Sequence, residues 1–184
     1  MTTLNRPNSA LLVIHVQVGV VQEAHKRDQV VGNIAKAVEA ARASSVPVIW
    51  VQHSEEEMPI DSDAWQIVPE LKPATGEEIV RKIYRSSFEA TNLEELLAAA
   101  QVGHLYVCGA ESNNCLRHTS HSALERGYDV TLIGDAHTTT GWEWNGLVVD
   151  AARVIDEQNG NFYSYQLPGR VAKVVSTADL DFSA

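Results

Sequence analysis

Short apolar segments alternate with amphipathic helical segments along this chain of 184 residues, and that alternation restricts the folds open to it. Residues 10–14 are almost continuously apolar, which is typical of a central parallel strand buried on both faces. Further strands are predicted at residues 46–51, 78–82, 105–108, 128–133 and 161–165. Helices are predicted at about residues 28–44, 91–100 (opening with a capping box at 91–94), 115–126 and 146–158. The pattern predicts an α/β fold, in which a mostly parallel six-stranded sheet carries helices on both faces.

Polar side chains follow the predicted strands, and in a sheet of this kind ligands bind beyond the carboxyl ends of the strands. We therefore expect a site formed by residues that follow successive strands. They are His15 and Gln17 after the first strand, Gln52 and His53 at the second, Lys82 at the third, Glu111 to Cys115 at the fourth, and Asp135 with His137 at the fifth.

Cys115 ends the loop that begins at Cys108, where a buried strand gives way to a helix. In the first turn of a helix, unpaired backbone N–H groups and the helix dipole favour an anion, so this position suits a thiolate nucleophile. The same N–H groups can hold a developing oxyanion. The alternative is an inert buried cysteine, which is the commoner fate of a free thiol, and position alone does not decide between them.

Composition and motifs exclude several classes of function. A hydrophobic content of 45% in a chain of this length predicts one domain, residues 1–184, around one core. The formal net charge of −10 argues against nucleic acid or an anionic membrane as a partner. The chain has no glycine-rich nucleotide motif and no Cys/His cluster, so neither a cofactor nor a metal is predicted. Residues 1–7 lack the apolar stretch of a signal peptide, so we expect a cytoplasmic protein with free thiols.

Five segments, taken in order, resemble the isochorismatase-like superfamily of cysteine hydrolases, which includes nicotinamidases and N-carbamoyl amidohydrolases. The segments are residues 11–17, 51–54, 82–88, 109–115 and 127–130, so the likeness spans almost the whole chain. The resemblance implies a three-layer αβα sandwich with a six-stranded, Rossmann-like parallel sheet. It also implies hydrolysis of a small amide, ureido or related carbonyl substrate, and assembly into a homo-oligomer, a dimer or a tetramer.

The resemblance assigns a catalytic triad, and two of its three positions match: Lys82 and the nucleophile Cys115. At the third position the family has an aspartate, whereas this chain has His15. An imidazole can act as general base for a thiol. Because Lys82 beside a neutral His15 leaves one uncompensated positive charge, we expect the thiolate to be favoured and protonation of His15 to be disfavoured. The resemblance also places the oxyanion hole at the backbone N–H groups of Glu111 and Cys115, with a cis peptide bond before Glu111.

Substrate contacts are predicted for six residues: Gln17, His53, Trp65, Phe88, Glu111 and Trp142. We expect Trp65, Phe88, Trp142 and Trp144 in loops at one end of the sheet, either walling a pocket or packing at a subunit interface. Glu111 either returns negative charge to the site or faces outward. Asp135 and His137 are expected to stabilise their loop by hydrogen bonding.

Two functions remain open at this point. The first is a hydrolase in which Cys115 attacks the carbonyl, Lys82 stabilises the thiolate and His15 moves protons. The second is a family member that has lost amide hydrolysis with the aspartate, and that binds a small molecule or performs different chemistry.

Overall fold

The computed structural model describes residues 2–182 and contains a six-stranded parallel sheet. Its strands are β1 (Asn8–Ile14), β2 (Val48–His53), β3 (Glu78–Lys82), β4 (Val102–Ala110), β5 (Asp129–Thr138) and β8 (Ala172–Val175). They lie in the order β3-β2-β1-β4-β5-β8, and each neighbouring pair is parallel. The remaining strands, β6 (Trp142–Trp144) and β7 (Leu147–Val149), form a separate antiparallel hairpin.

The sheet carries helices on both faces, as the alternation predicted. The helices are α1 (Val18–Val21), α2 (Arg27–Ala43), α3 (Leu93–Ala99), α4 (Cys115–Glu125) and α5 (Ala151–Tyr163). Successive side chains of a strand point to opposite faces, so β1 contributes to two cores. Leu11 and Val13 pack in the apolar cluster that contains α2, whereas Leu12 and Ile14 pack in the cluster that contains α3 and α4. The three-layer αβα arrangement is therefore confirmed.

The sixth strand was predicted at the wrong place. Residues 161–163 are the last turn of α5, and the edge strand is Ala172–Val175 instead. Val154, Gln158 and Phe162 are buried at a spacing of four residues, so tertiary burial holds the helix through Asn159 and Gly160, where it was expected to stop. The strand that was missed is short and half-exposed, with a lysine in its middle, and such an edge strand gives a weak apolar signal.

The start of α5 was also predicted too early. Trp142 and Trp144 do not lie in loops but in the hairpin, whose turn is formed by Asn145 and Gly146, both with positive φ (50° and 77°). An Asn-Gly pair between alternating apolar residues is the sequence signal for such a turn. The helix begins only at Ala151, where the Asp150 side chain accepts a hydrogen bond from the N–H of Arg153 at 3.0 Å.

The capping box predicted at residues 91–94 forms only in part. Thr91 Oγ accepts from the N–H of Leu93 at 3.3 Å. The carboxylate of Glu94, by contrast, accepts from Arg6 and Tyr128. Asn92 precedes α3 without a capping hydrogen bond from its side chain, and the hydroxyl of Thr91 donates to the carbonyl oxygen of Ser87 at 2.6 Å. Among the helices of residues 2–182, none combines the length and the apolar character needed to cross a membrane.

Candidate active site

Four side chains converge on the carboxyl end of the sheet. His15 follows β1, His53 ends β2, Lys82 ends β3, and Cys115 is the first residue of α4, after the loop that follows β4. Because β1, β2 and β3 are neighbours, and His53 pairs with Lys82 in register, residues from distant parts of the chain meet here. The strand order reverses between β1 and β4, which is where open α/β sheets form their binding crevice.

Gly109 permits the close approach of β4 to β1 at this edge. Its φ is +119°, and a Cβ atom built on it would lie 2.0 Å from the carbonyl oxygen of Ile14, immediately before His15. A residue with a side chain would push the two strands apart just below the site.

Lys82 is the closest partner of the Cys115 thiol. The ammonium nitrogen of Lys82 lies 3.1 Å from Cys115 Sγ, 2.9 Å from the carbonyl oxygen of Tyr84 and 3.3 Å from His53 Nδ1. The three acceptors match the three N–H bonds of an ammonium group. Burial lowers the pKa of Lys82, and the nearby Cys115 and Glu55 oppose that change.

His53 links Lys82 to a carboxylate that the sequence did not indicate. An ammonium group can only donate, so Nδ1 of His53 accepts from Lys82 and its proton sits on Nε2. That nitrogen lies 3.5 Å from Glu55 Oε2, on a side chain that is about half exposed. Burial, followed by the charge of Lys82, lowers the pKa of His53. Glu55 stands two positions after the end of β2. Its place just beyond a strand end is the sequence feature that could have indicated it as a site residue.

His15, which the family resemblance places at the aspartate position, is a buried, neutral imidazole. Its φ is +60°, its ring centroid is 5.0 Å from that of His53, and its Nδ1 lies 2.7 Å from Gln17 Oε1. Burial is the largest influence on its pKa and the charge of Lys82 is the next, and together they lower it to about 3. The expectation that protonation of His15 is disfavoured therefore agrees in direction with the structure.

Substrate contact by Gln17 stays a prediction, and its amide is engaged by the protein. Its side chain is fully buried, and its amide is bonded to protein groups around His15, His53 and Trp65.

Within the part of the chain that the structure describes, the loop before α4 leaves backbone N–H groups without a protein acceptor. The peptide bond between Ala110 and Glu111 is cis. Within residues 2–182, neither the backbone N–H of Glu111 nor that of Cys115 donates a hydrogen bond to a protein acceptor. The amide of Cys115 belongs to the first turn of an eleven-residue helix, where the dipole favours negative charge.

The carboxylate of Glu111 faces its own loop. It accepts from Asn114 Nδ2 at 2.7 Å and lies 3.5 Å from the hydroxyl of Thr140. The carboxylate of Glu55, by contrast, opposes the lowering of the pKa of Lys82. Charge compensation of the site by Glu111 stays a prediction.

The four aromatic side chains do not form one wall. Trp65 is buried, and its ring lies 5.4 Å below the guanidinium of Arg81. Phe88 is buried in the same apolar cluster as Cys115, with its ring 5.9 Å from that of Tyr128. Trp142 and Trp144 are 42% and 69% exposed on the hairpin. Substrate contact by Trp65, Phe88 or Trp142 stays a prediction.

Asp135 and His137 lie within β5 and make the hydrogen bonds expected of a structural pair. His137 lies 2.8 Å from Ser112 Oγ and 2.9 Å from Asn159 Oδ1, so it ties the site loop to α5. Asp135 accepts from the backbone and hydroxyl of Thr177. In residues 2–182 no group of three or more His, Cys, Asp or Glu side chains is placed to hold a metal, and both cysteines are free.

A family model of the isochorismatase domain matches residues 9–179. The chain belongs to the isochorismatase family. It is 34% identical over 140 residues to a streptothricin hydrolase of Streptomyces noursei, a match that covers 73% of this chain and 56% of that protein. It is 28% identical over 179 residues to a probable inactive nicotinamidase of Arabidopsis thaliana, covering 83% and 89% of the two chains.

Solved structures agree with the family. The crystal structure of an isochorismatase from Pseudomonas putida KT2440 superposes with a TM-score of 0.85 at 29% identity, covering 95% of this chain and 90% of that one. The chain spans about half the length of the first curated relatives it matches, streptothricin hydrolases and an N-carbamoylsarcosine amidase. Members of this family are generally cysteine hydrolases that act on amides.

Proposed function

We propose that this protein hydrolyses a C–N bond of a small amide, ureido or related carbonyl substrate, with Cys115 as nucleophile. The observation that carries the proposal is the 3.1 Å contact between the Lys82 ammonium and Cys115 Sγ at the start of a helix. A cation at this distance and the helix dipole both favour the thiolate, which is the reactive form of cysteine.

The reaction proceeds in two stages. The thiolate attacks the carbonyl carbon, and the N–H groups of Glu111 and Cys115 hold the oxyanion. His15 passes the proton that came from the thiol to the leaving nitrogen, the C–N bond breaks, and a thioester remains on Cys115. A water molecule then attacks the thioester, its proton moves through His15 to the sulfur, and the acid is released.

Thiolate formation and proton uptake by His15 support one another. The charge of Lys82 is the second cause of the low pKa of His15, and an ionised Cys115 beside Lys82 offsets that charge. His15 therefore becomes a better proton carrier once the thiolate forms.

One observation favours the second function, in which the protein binds a small molecule or performs different chemistry and does not hydrolyse amides. An imidazole whose pKa is lowered to about 3 is a weak proton acceptor, weaker than the position requires for efficient transfer near neutral pH. The name of one relative, a probable inactive nicotinamidase, supports this alternative.

Thiol labelling separates the two functions without knowledge of the substrate. Intact mass after brief exposure to limiting iodoacetamide, from pH 5 to pH 9, should show one rapid adduct on Cys115. Cys108 is an internal reference, because its side chain is fully buried and burial raises its pKa.

Lys82→Met should slow this labelling about tenfold or more near pH 6, since tenfold corresponds to roughly 1.4 kcal/mol of thiolate stabilisation. Lys173→Met, on the opposite edge strand β8, is the matched control and should label like the parent. Slow labelling of the parent that only His15→Asp accelerates would support the second function. Rapid labelling justifies a screen of small amides, beginning with streptothricin, N-carbamoyl amino acids and nicotinamide.

A further inference from the structure

Gln17 has an amide orientation that its backbone neighbours define. Its Oε1 accepts from the N–H of His53 at 2.8 Å. Its Nε2 donates to the carbonyl oxygens of Trp65 and His53, at 2.7 Å and 3.0 Å. A backbone N–H can only donate and a carbonyl can only accept, so the oxygen and nitrogen of this amide cannot be exchanged. Both protons of Nε2 are already used.

This orientation determines which nitrogen of His15 carries the proton. Nδ1 of His15 lies 2.7 Å from Gln17 Oε1, and that oxygen is an acceptor, so Nδ1 must donate. A neutral imidazole has one N–H, and burial beside Lys82 keeps His15 neutral. The lone pair is therefore on Nε2.

Nε2 of His15 is available for proton transfer. Within residues 2–182 this atom has no hydrogen-bond partner, yet it is not among the fully buried unpartnered atoms, which are His121 Nε2 and Gln158 Nε2. It therefore keeps a small accessible surface, although the His15 side chain as a whole is buried. A base needs such an open lone pair to take a proton.

The neighbouring His53 has the opposite arrangement. Its Nδ1 accepts from Lys82 and its Nε2 carries the proton toward Glu55. Two imidazoles with ring centroids 5.0 Å apart thus differ in function, because the lone pair of His53 is occupied while that of His15 is open.

We infer that Gln17 is a positioning residue that holds His15 in the Nδ1–H form, so that Nε2 is the atom that accepts and delivers the proton. The catalytic consequence rests on the proposed function, whereas the tautomer does not.

Nitrogen NMR tests the tautomer directly. In protein labelled with 15N-histidine, long-range proton–nitrogen correlations distinguish an Nδ1–H from an Nε2–H imidazole, and His15→Asn assigns the signals of His15. The parent should show His15 as a single neutral Nδ1–H form from pH 6 to pH 8. A predominant Nε2–H form would overturn the inference, whatever the activity of the protein.

Gln17→Met and Gln52→Met form a matched pair. Gln52 is also buried and also donates to the carbonyl oxygen of Trp65, at 3.1 Å, but it does not contact His15. Gln17→Met should convert His15 into a mixture of tautomers and lower kcat on an amide substrate at least tenfold with little change in KM. Gln52→Met should leave the tautomer intact.

Equal loss of the Nδ1–H form in both variants would mean that Gln17 only secures the Trp65 loop, and would overturn the inference. If Gln17→Met fails to fold, the tautomer of His15 in the parent protein still tests the inference, because a predominant Nε2–H form would overturn it. An Nδ1–H form in a protein whose Cys115 does not label would reject the proposed function and leave the positioning by Gln17 intact.

Discussion

At the scale of single residues, His15 leaves the positive charge of Lys82 without a carboxylate at the position where the family resemblance places an aspartate. The structure compensates in part through Glu55, which faces His53 and opposes the lowering of the pKa of Lys82. His15 itself is kept neutral by burial, by Lys82 and by His53. In the proposed function, this environment suits a thiolate next to Lys82, and His15 is a proton carrier that is charged only briefly.

Stability should depend on pH through His15. Its pKa is about 3 in the folded protein and 6.5 in its ordinary state, so below pH 6.5 the unfolded chain takes up a proton that the folded protein does not. The free energy of unfolding therefore falls as the pH drops from 6.5 toward 3, by up to about 1.4 kcal/mol per pH unit from this group. His15→Asn removes this contribution.

Urea unfolding of the parent and of His15→Asn at pH 7 and at pH 4.5 measures the contribution of His15 to the free energy of unfolding. The stability of the parent should decline more steeply than that of the variant. If the free energy of unfolding declined equally in both proteins, the prediction would be wrong, because His15 would then take up its proton in the folded protein as readily as in the unfolded chain.

At the scale of elements, the approach of β4 to β1 depends on Gly109, and the chemistry depends on that approach. The loop from Glu111 to Cys115 begins directly after this contact, so the position of α4 relative to Lys82 follows from how closely the two strands pack.

Gly109→Ala should destabilise the protein by about 3 kcal/mol. The added Cβ would overlap the carbonyl oxygen of Ile14, and the residue would also be held at positive φ. Gly32→Ala is the control, since an added Cβ there meets no atom within 4 Å and alanine favours the helix by roughly 1 kcal/mol.

Thermal unfolding of the two variants compares them directly. Gly109→Ala should melt well below the parent and Gly32→Ala slightly above it. A Gly109→Ala variant as stable as the parent would mean that the strands can separate here without cost.

At the scale of the whole molecule, the parallel sheet collects side chains that lie as far apart as residues 15 and 115. The same molecule exposes apolar side chains on its hairpin, among them Trp144, Leu147 and Val148. Their burial in an assembly would agree with the homo-oligomer that the family resemblance predicts.

Sedimentation velocity tests that prediction. A dimer or tetramer of the 20.1 kDa chain is expected at micromolar concentration. A monomer that persists as the concentration rises would contradict it, and would leave the hairpin exposed in solution.

Much of the fold could be predicted because local pattern and tertiary environment agree along the first five strands. Residues 10–14 are apolar at every position and are buried at every position. Near the carboxyl end of the chain, the local sequence pattern and the tertiary environment disagree. The aromatic residues at 161–165 resemble a strand locally, but Phe162 is buried on the inner face of α5, and only packing against the sheet establishes that.

The sequence by itself determined the first five strands of the sheet and the longer helices between them. It also placed His15 and Lys82 at the ends of β1 and β3, and Cys115 at the start of a helix, because these features depend on periodicity along the chain. The tertiary structure decided the rest: the contact of Lys82 with both Cys115 and His53, the countercharge from Glu55, and the proton position on His15. These features depend on register and side-chain orientation between segments far apart in sequence. A backbone N–H at residue 53 orients the amide of Gln17, and that amide in turn orients the imidazole.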